Sequence, residues 1–470
     1  MVFASVDFLI WFLPFFLATY YVAPVKIKNF VIVLFSLVFY GYGCVLNPEY
    51  LLLLVISVIV NWLLGFLTGI KKGKKLFLFL GIVFNFGLLI LFKYLSSLLD
   101  FSGFVMNRFG INPPGWLFTS PLRSLVLPLG ISFVTFQSVS YLTDICRGDI
   151  TPEKNPVDFA VYMIAFPQII TGPIVRYDEV SFRIHNRYLT KDFIYDGAEK
   201  FVFGLGMKVL IADRVGGIWN ECAKIGYEDL SAPMAWLGIA AYSLKLYFDF
   251  YGYSLMAVGL GKLIGFDYPD NFREPYTAVS MTEFWRRWHM TLGSWFRDYV
   301  YIPLGGNRKG KARMLLNLVI VWTFTGIWHG AGANFVLWGL CLAVIIIIEK
   351  LFLKKILDKH RFFGHIYMIV LIPLSWLVFA LDSLTDIKNY FMCMIGMGSE
   401  YVYSLDWLKC VKSYGIFVIA GVIFSTKIGR EIFKKIRRKA VVVPVMLAVL
   451  AASGYCVYKG MNDPFMYFNF

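Results

Sequence analysis

The chain has 470 residues, of which 59% are apolar and 16% charged, with a mean hydropathy of +0.66. Soluble proteins run at roughly 45–50% apolar and about 25% charged residues, so neither a soluble globular chain nor a disordered one fits. The formal net charge of +15 is concentrated in short loops between apolar runs, which marks cytoplasmic loops beside anionic lipid and excludes a nucleic-acid partner.

Residues 2–22 (VFASVDFLIWFLPFFLATYYV) lack a basic leader and outrun a signal-peptide core, so they predict a first span rather than a cleaved signal. Apolar runs near 29–45, 50–70, 76–96 and 124–143 follow, then 156–172, 196–215 and 232–264. Further runs lie at 314–330, 334–352, 364–382, 411–426 and 440–458. Continuous runs without in–out alternation choose helices over a barrel. The expected fold class is an all-α polytopic membrane protein, a single domain over 1–470, with about eleven or twelve membrane helices. Residues 265–313 are too polar for simple spans and too aromatic for a loop, and predict re-entrant or interfacial helices.

Basic clusters set the orientation. They fall at Lys26 and Lys28, at Lys71–Lys75, at Arg308–Arg313, at Lys354–Arg361 and at Lys427–Lys439, the last with seven bases in thirteen residues. Placing all of them inside requires even numbers of spans between them and puts both termini outside. The seven cysteines are scattered, with no CxxC pair, so no metal or disulfide framework is indicated. No Walker loop, GxSxG elbow or HExxH is present.

Five stretches carry polar groups at membrane depth. In residues 127–141, Ser132, Thr135, Gln137, Ser138 and Ser140 crowd one span, which interhelical hydrogen bonding explains. In 166–176, two prolines and Gly172 predict a broken or re-entrant helix. Asp249, in YFDFYGY (247–253), is a carboxylate in an apolar run, and the structural reading is an ion pair with Lys245 or an arginine. In 283–308, Trp285, Trp288 and Trp295 interleave with Arg286, Arg287 and Arg297; this suits an interfacial anchor, but an anchor has no need of Glu283, His289 and Asp298. The Gly305–Gly306 turn beside Arg308 could offer backbone amides to a phosphate. Finally, GIWHGAGANFVLWG (326–339) places His329 at a small-residue turn of a helical hairpin. Imidazole titrates near neutrality and can take and return a proton; the alternative is a structural histidine donating one hydrogen bond. Thr325, one turn earlier, either orients the ring or bonds back to its own helix.

The stretches at 127–144, 166–176, 247–254, 284–307 and 328–331 together resemble the membrane-bound O-acyltransferase superfamily, in the branch of the alginate O-acetyltransferase membrane subunit. The opening residues and the closing PFMYFNF (464–470) also resemble that branch. Lys245, Tyr251 and Leu255 depart from its usual pattern, as does the absence of arginine in 376–382. The resemblance implies a ring of membrane helices around a central tunnel in a bacterial inner membrane. It implies His329 as the tunnel histidine and His289 as a second functional one. Arg286, Arg287 and Arg308 would hold the donor's phosphates, and Asp249, Trp328, Asn334 and Gln137 are candidate tunnel or structural residues. The implied donor is acetyl-CoA or a carrier-protein thioester, with no permanently bound cofactor and no metal. The implied partners are membrane lipid, a polysaccharide acceptor, an extracytoplasmic acetyltransferase and an acyl carrier protein. Two alternatives stand beside polysaccharide O-acetylation: D-alanyl transfer to teichoic acid, and transport of a polysaccharide or lipid-linked intermediate.

Overall fold

Apolar side chains on several of the membrane-length helices point outward. In Lys74–Lys93 only 17% of the apolar window is buried, and in Asp406–Phe424 only 11%, so lipid must cover these faces. The computed structural model describes every residue except 171, 400–402, 438–440 and 467–470, and the side chain of Ser124. Among the described residues all regular structure is helical. Among the described residues six helices are long and apolar enough to cross a membrane: Val25–Gly43, Glu49–Gly69, Lys74–Lys93, Ala333–Lys359, Arg361–Ala380 and Asp406–Phe424. A seventh is added if Lys427–Arg437 and Val442–Tyr458 form one span. The other apolar runs fold as helices that are shorter or carry more polar groups. Asp7–Val22 and Pro156–Ile169 are shorter apolar segments, and Ala232–Leu263 holds Lys245, Asp249 and Lys262 along its 32 residues.

The described chain forms two compact units. The first comprises Met1, Leu13–Thr190 and Ile264–Tyr268. Its spans Glu49–Gly69 and Lys74–Lys93 are locked by a reciprocal amide pair. Asn61 Nδ2 donates to Asn85 Oδ1 at 3.0 Å, and Asn85 Nδ2 donates to Asn61 Oδ1 at 2.7 Å. Each buried amide thus satisfies the other where no water is present. The helix Ile131–Arg147 is buried along nearly its whole length. Helix Pro156–Ile164 breaks at Ala165 and one further turn, Phe166–Ile169, follows. This is the predicted break; Thr171 of that motif lies outside the described residues, as do Arg438 and Lys439 of the last basic cluster and the closing residues 467–470.

The second unit comprises Val2–Phe12, Lys191–Leu263 and Pro269–Phe470. Lys191–Gly206 lies against Ala232–Leu263 at backbone-to-backbone range. A Cβ on Gly204 would sit 2.6 Å from Gly252 O, and one on Gly252 2.7 Å from Gly204 O, so only glycine permits this approach. The predicted hairpin forms from Lys311–His329 and Ala333–Ile348. Its helices meet in the same way, since a Cβ on Gly326 would strike Phe335 O and one on Gly339 would strike Trp322 O. Between the long helices, residues 265–313 give only short helical turns, including Met281–Trp285, Met290–Phe296 and Arg297–Tyr301.

Candidate functional site

His329 closes the helix Lys311–His329 and is buried. Its Nδ1 lies 2.8 Å from Thr325 O, one turn back. A carbonyl only accepts, so Nδ1 carries the proton and Nε2 is the basic nitrogen of the neutral ring. The Thr325 hydroxyl bonds back to Val321 O at 2.8 Å. The ring is therefore oriented by the backbone of Thr325, while its side chain serves the helix. Around the imidazole stand Trp328, Trp338 and Phe379, with ring centroids at 4.7, 5.0 and 5.4 Å.

His289 caps the helix Met290–Phe296 in the left-handed region, with φ 44°. A histidine held there is strained, and such strain persists where the surroundings over-determine it. Asn271 does so. Its Oδ1 accepts Thr291 N at 3.3 Å and Thr291 Oγ1 at 2.9 Å, and lies 3.1 Å from His289 Nδ1. Met290 N also donates to Asn271 O at 2.9 Å. Because Thr291 N–H can only donate, the Asn271 atom is the oxygen, so His289 Nδ1 also bears the proton. His289 lies outside the six apolar spans. Burial holds its imidazole well below the ordinary range, and His329 nearby adds to this. The neutral ring keeps Nε2 buried with no hydrogen-bond partner among the described residues.

Both histidines line one cavity of ≈ 260 Å³, shared with Thr282, Trp285, Trp288 and Trp322. Arg286, Arg297, Tyr301 and Lys350 also line it; Asp298 holds Arg297 at 2.6 and 2.9 Å, and Arg286 and Lys350 remain as a cationic wall suited to a phosphate-bearing ligand. Trp285 Nε1 is likewise buried without a partner. A cavity with two basic nitrogens, a donor indole and unsatisfied polar atoms can move a proton and hold a polar substrate.

The remaining candidates distribute as follows. Arg286 lines the cavity. Arg287 does not: it is engaged by Glu283 and donates to Thr277 Oγ1 at 2.7 Å. Arg308 is exposed and also lies off the lining. The Gly305–Gly306 turn does not offer its amides outward as expected, because Gly305 N donates to Ile302 O and Gly306 N to Tyr301 O, both at 2.9 Å. Trp328 is buried, its ring 4.7 Å from His329 and 6.3 Å from His289. Asn334 sits at the hairpin tip and donates to Phe379 O at 3.4 Å, while its Oδ1 is buried without a partner. Asp249 pairs with Lys208 at 2.8 Å, and Lys208 also engages Asp213. The expected partner Lys245 goes instead to Asp463, at 2.9 Å. Gln137 stands in the first unit, buried on Ile131–Arg147.

Several participants carried little sequence signal. Asn271 sits in an irregular stretch. Glu349, buried at the end of an apolar run, accepts Met281 N at 2.6 Å and Thr282 N at 2.8 Å, fixing the turn that presents Thr282 and Trp285. Lys208 and Asp213, charges in an apolar run, meet because the π-helical segment Met207–Ala212, which holds Lys208, brings residues five apart onto one face.

The membrane-bound O-acyltransferase family profile matches residues 153–405, which hold both histidines. The probable alginate O-acetylase AlgI of Pseudomonas syringae pv. tomato is 36% identical over 413 residues, 86% of this chain and 77% of that protein. The chain belongs to the membrane-bound O-acyltransferase family. This acyltransferase is also similar to the peptidoglycan O-acetyltransferase of Helicobacter pylori, 32% identical over 432 residues, 83% of this chain and 79% of the relative. The teichoic acid D-alanyltransferase of Bacillus subtilis is 30% identical over 248 residues, 50% of this chain and 62% of the relative. The protein is thus a multi-pass membrane acyltransferase, which sets the transporter alternative aside.

Proposed function

We propose that this acyltransferase takes an acetyl group from a cytoplasmic thioester, acetyl-CoA, and passes it through a bacterial inner membrane toward an exported or cell-surface polysaccharide. The carrying observation is the cavity lined by His329, His289 and a cationic wall of Arg286 and Lys350. In this reading the helices ring a tunnel, and the cationic wall marks the donor's entrance. His329 Nε2 takes the proton of an acceptor hydroxyl as its oxygen attacks the thioester carbonyl. The tetrahedral adduct collapses, the C–S bond breaks, and the proton passes to the leaving thiolate. In the same reading Trp285 Nε1, buried without a partner on a residue of the lining, donates to the developing oxyanion, and His289 Nε2 accepts from the substrate. The aromatic walls exclude water that would hydrolyse the thioester. An extracytoplasmic acetyltransferase completes delivery to the glycan. The alginate O-acetylase relatives, matched over most of the chain, favour acetyl as the group moved.

A second reading has one specific support, the D-alanyltransferase relative that matches half of this chain. There the donor is a carrier-protein thioester and the acceptor teichoic acid. Reconstituted protein together with the extracytoplasmic acetyltransferase and an acceptor glycan, incubated with acetyl-CoA and separately with a D-alanyl carrier protein, separates the two by thiol release. Acceptor-dependent release of coenzyme A supports acetylation; release only from the D-alanyl carrier contradicts it.

A further inference from the structure

A second, larger cavity lies in the same unit, apart from the histidines. Its volume is ≈ 660 Å³, within the roughly 300–1,000 Å³ of ligand-holding cavities. Its walls are drawn from Lys191–Gly206, Ala232–Leu263, Asp406–Phe424, Lys427–Arg437 and Val442–Tyr458, with Phe203, Leu210, Phe424, Phe433, Val445 and Val449 supplying an apolar lining.

The polar rim is uneven. Arg430 pairs with Glu274 at 3.1 Å, Lys200 with Asp270 at 3.4 Å, and Arg437 with Asp196 and with Glu199 Oε2, the last at 3.0 Å. Two rim groups are left over. Glu199 is 3% exposed, and its Oε1 is buried with no hydrogen-bond partner among the described residues. Arg273 lines the cavity, and its guanidinium joins none of the ion pairs or side-chain hydrogen bonds just described. The orphan carboxylate oxygen and the exposed guanidinium thus belong to two residues that line one apolar chamber. A buried carboxylate oxygen without a donor is costly, and a ligand that brings a donor removes the cost.

We propose that this cavity binds a glycerophospholipid whose headgroup carries both a phosphate and a primary ammonium. The ammonium donates to Glu199 Oε1, the phosphate meets Arg273, and an acyl chain fills the space along Phe203, Phe433 and Val445. Choline has a fixed charge but no N–H to donate, and a glycerol headgroup has no cation, so neither satisfies both groups. The apolar lining selects the lipid over free phosphoethanolamine. The site is independent of the acyl-transfer reading.

The test is native mass spectrometry of the full-length protein with ethanolamine, choline and glycerol phospholipids of matched acyl chains, and with free phosphoethanolamine. The wild type is expected to retain the ethanolamine lipid about tenfold over the other two, the scale of one charge-assisted hydrogen bond. Glu199→Gln is expected to erase the preference over choline, and Arg273→Gln to weaken ethanolamine and choline lipids together. Val445→Trp, which fills the chamber, is expected to lower occupancy by every lipid. Unfolding temperature is followed for each variant. Equal retention of the three lipids by the wild type, an undiminished preference in Glu199→Gln, or equally tight capture of free phosphoethanolamine overturns the proposal.

Discussion

His185 and His329 are tethered alike, each with Nδ1 2.8 Å from the carbonyl oxygen four residues earlier, Ser181 in one case and Thr325 in the other. Beyond that tether their surroundings diverge. His185 Nε2 meets Glu153 Oε2 at 3.0 Å, and Glu153 also receives Tyr177 Oη and, at 2.8 Å, Asn155 N. Asp158 beside it is held by Asn29 at 2.6 Å and Asn155 at 3.0 Å. Every carboxylate oxygen in that cluster has a partner from the protein. Around His329 the neighbours are aromatic rings and a cavity, and His289 Nε2 and Trp285 Nε1 on its lining stay unsatisfied. An oriented imidazole alone thus says little. What distinguishes a reactive site from a strut is polar capacity left for a ligand.

That contrast can be broken most forcefully at His329. His329→Ala is expected to lower acetyl-transfer kcat by about 10²- to 10⁴-fold, with an unfolding temperature close to wild type because the ring faces a cavity. A variant that turns over at the wild-type rate would put His329 in the same class as His185. The buried ion triad gives the opposite signature. Lys208→Met leaves Asp213 and Asp249 facing each other in a side-chain environment 1% exposed, and is expected to destabilise the fold by about 3–5 kcal/mol in detergent unfolding. Glu153→Gln in the His185 cluster is expected to cost about 1–3 kcal/mol of stability while kcat per folded molecule stays at the wild-type value; a fall in kcat would make that cluster part of the chemistry. The smallest effect is expected at the cationic wall. Arg286→Gln should raise KM for the thioester donor about three- to tenfold with kcat preserved, whereas Arg308→Gln, off the cavity lining, should change KM by less than about twofold. Equal effects at the two arginines would remove the distinction drawn from the lining.

Much of this architecture was legible in the chain. The hairpin around Gly330–Ala333 was visible because two apolar runs flank a small-residue turn, and the broken helix at 166–176 because proline cannot continue one. His329 stood out because imidazole is costly at membrane depth, and His289 because an interfacial anchor has no need of one. The count of apolar spans was less legible. Ala232–Leu263 is a helix of sufficient length, but its buried Asp249 and Lys245 are matched by Lys208 and Asp463, partners 41 and 218 residues away, and no local pattern announces such pairs. Asn271 was invisible for the same reason. Its value lies in a loop-to-loop contact that holds His289 in a strained backbone, and an isolated asparagine in an irregular stretch carries no periodicity. The phosphate cradle expected at Gly305–Gly306 failed because the glycines' own amides close the turn internally.

The most direct test is an experimental structure of the reconstituted protein with a non-hydrolysable acetyl thioether analogue of the donor. The account predicts the acyl carbon inside the cavity shared by the two histidines, within about 3–3.5 Å of the attacking position served by His329 Nε2, and the phosphates against Arg286 and Lys350. An analogue seated elsewhere, with His329 still enclosed by Trp338 and Phe379 and out of reach of the acyl group, would contradict it.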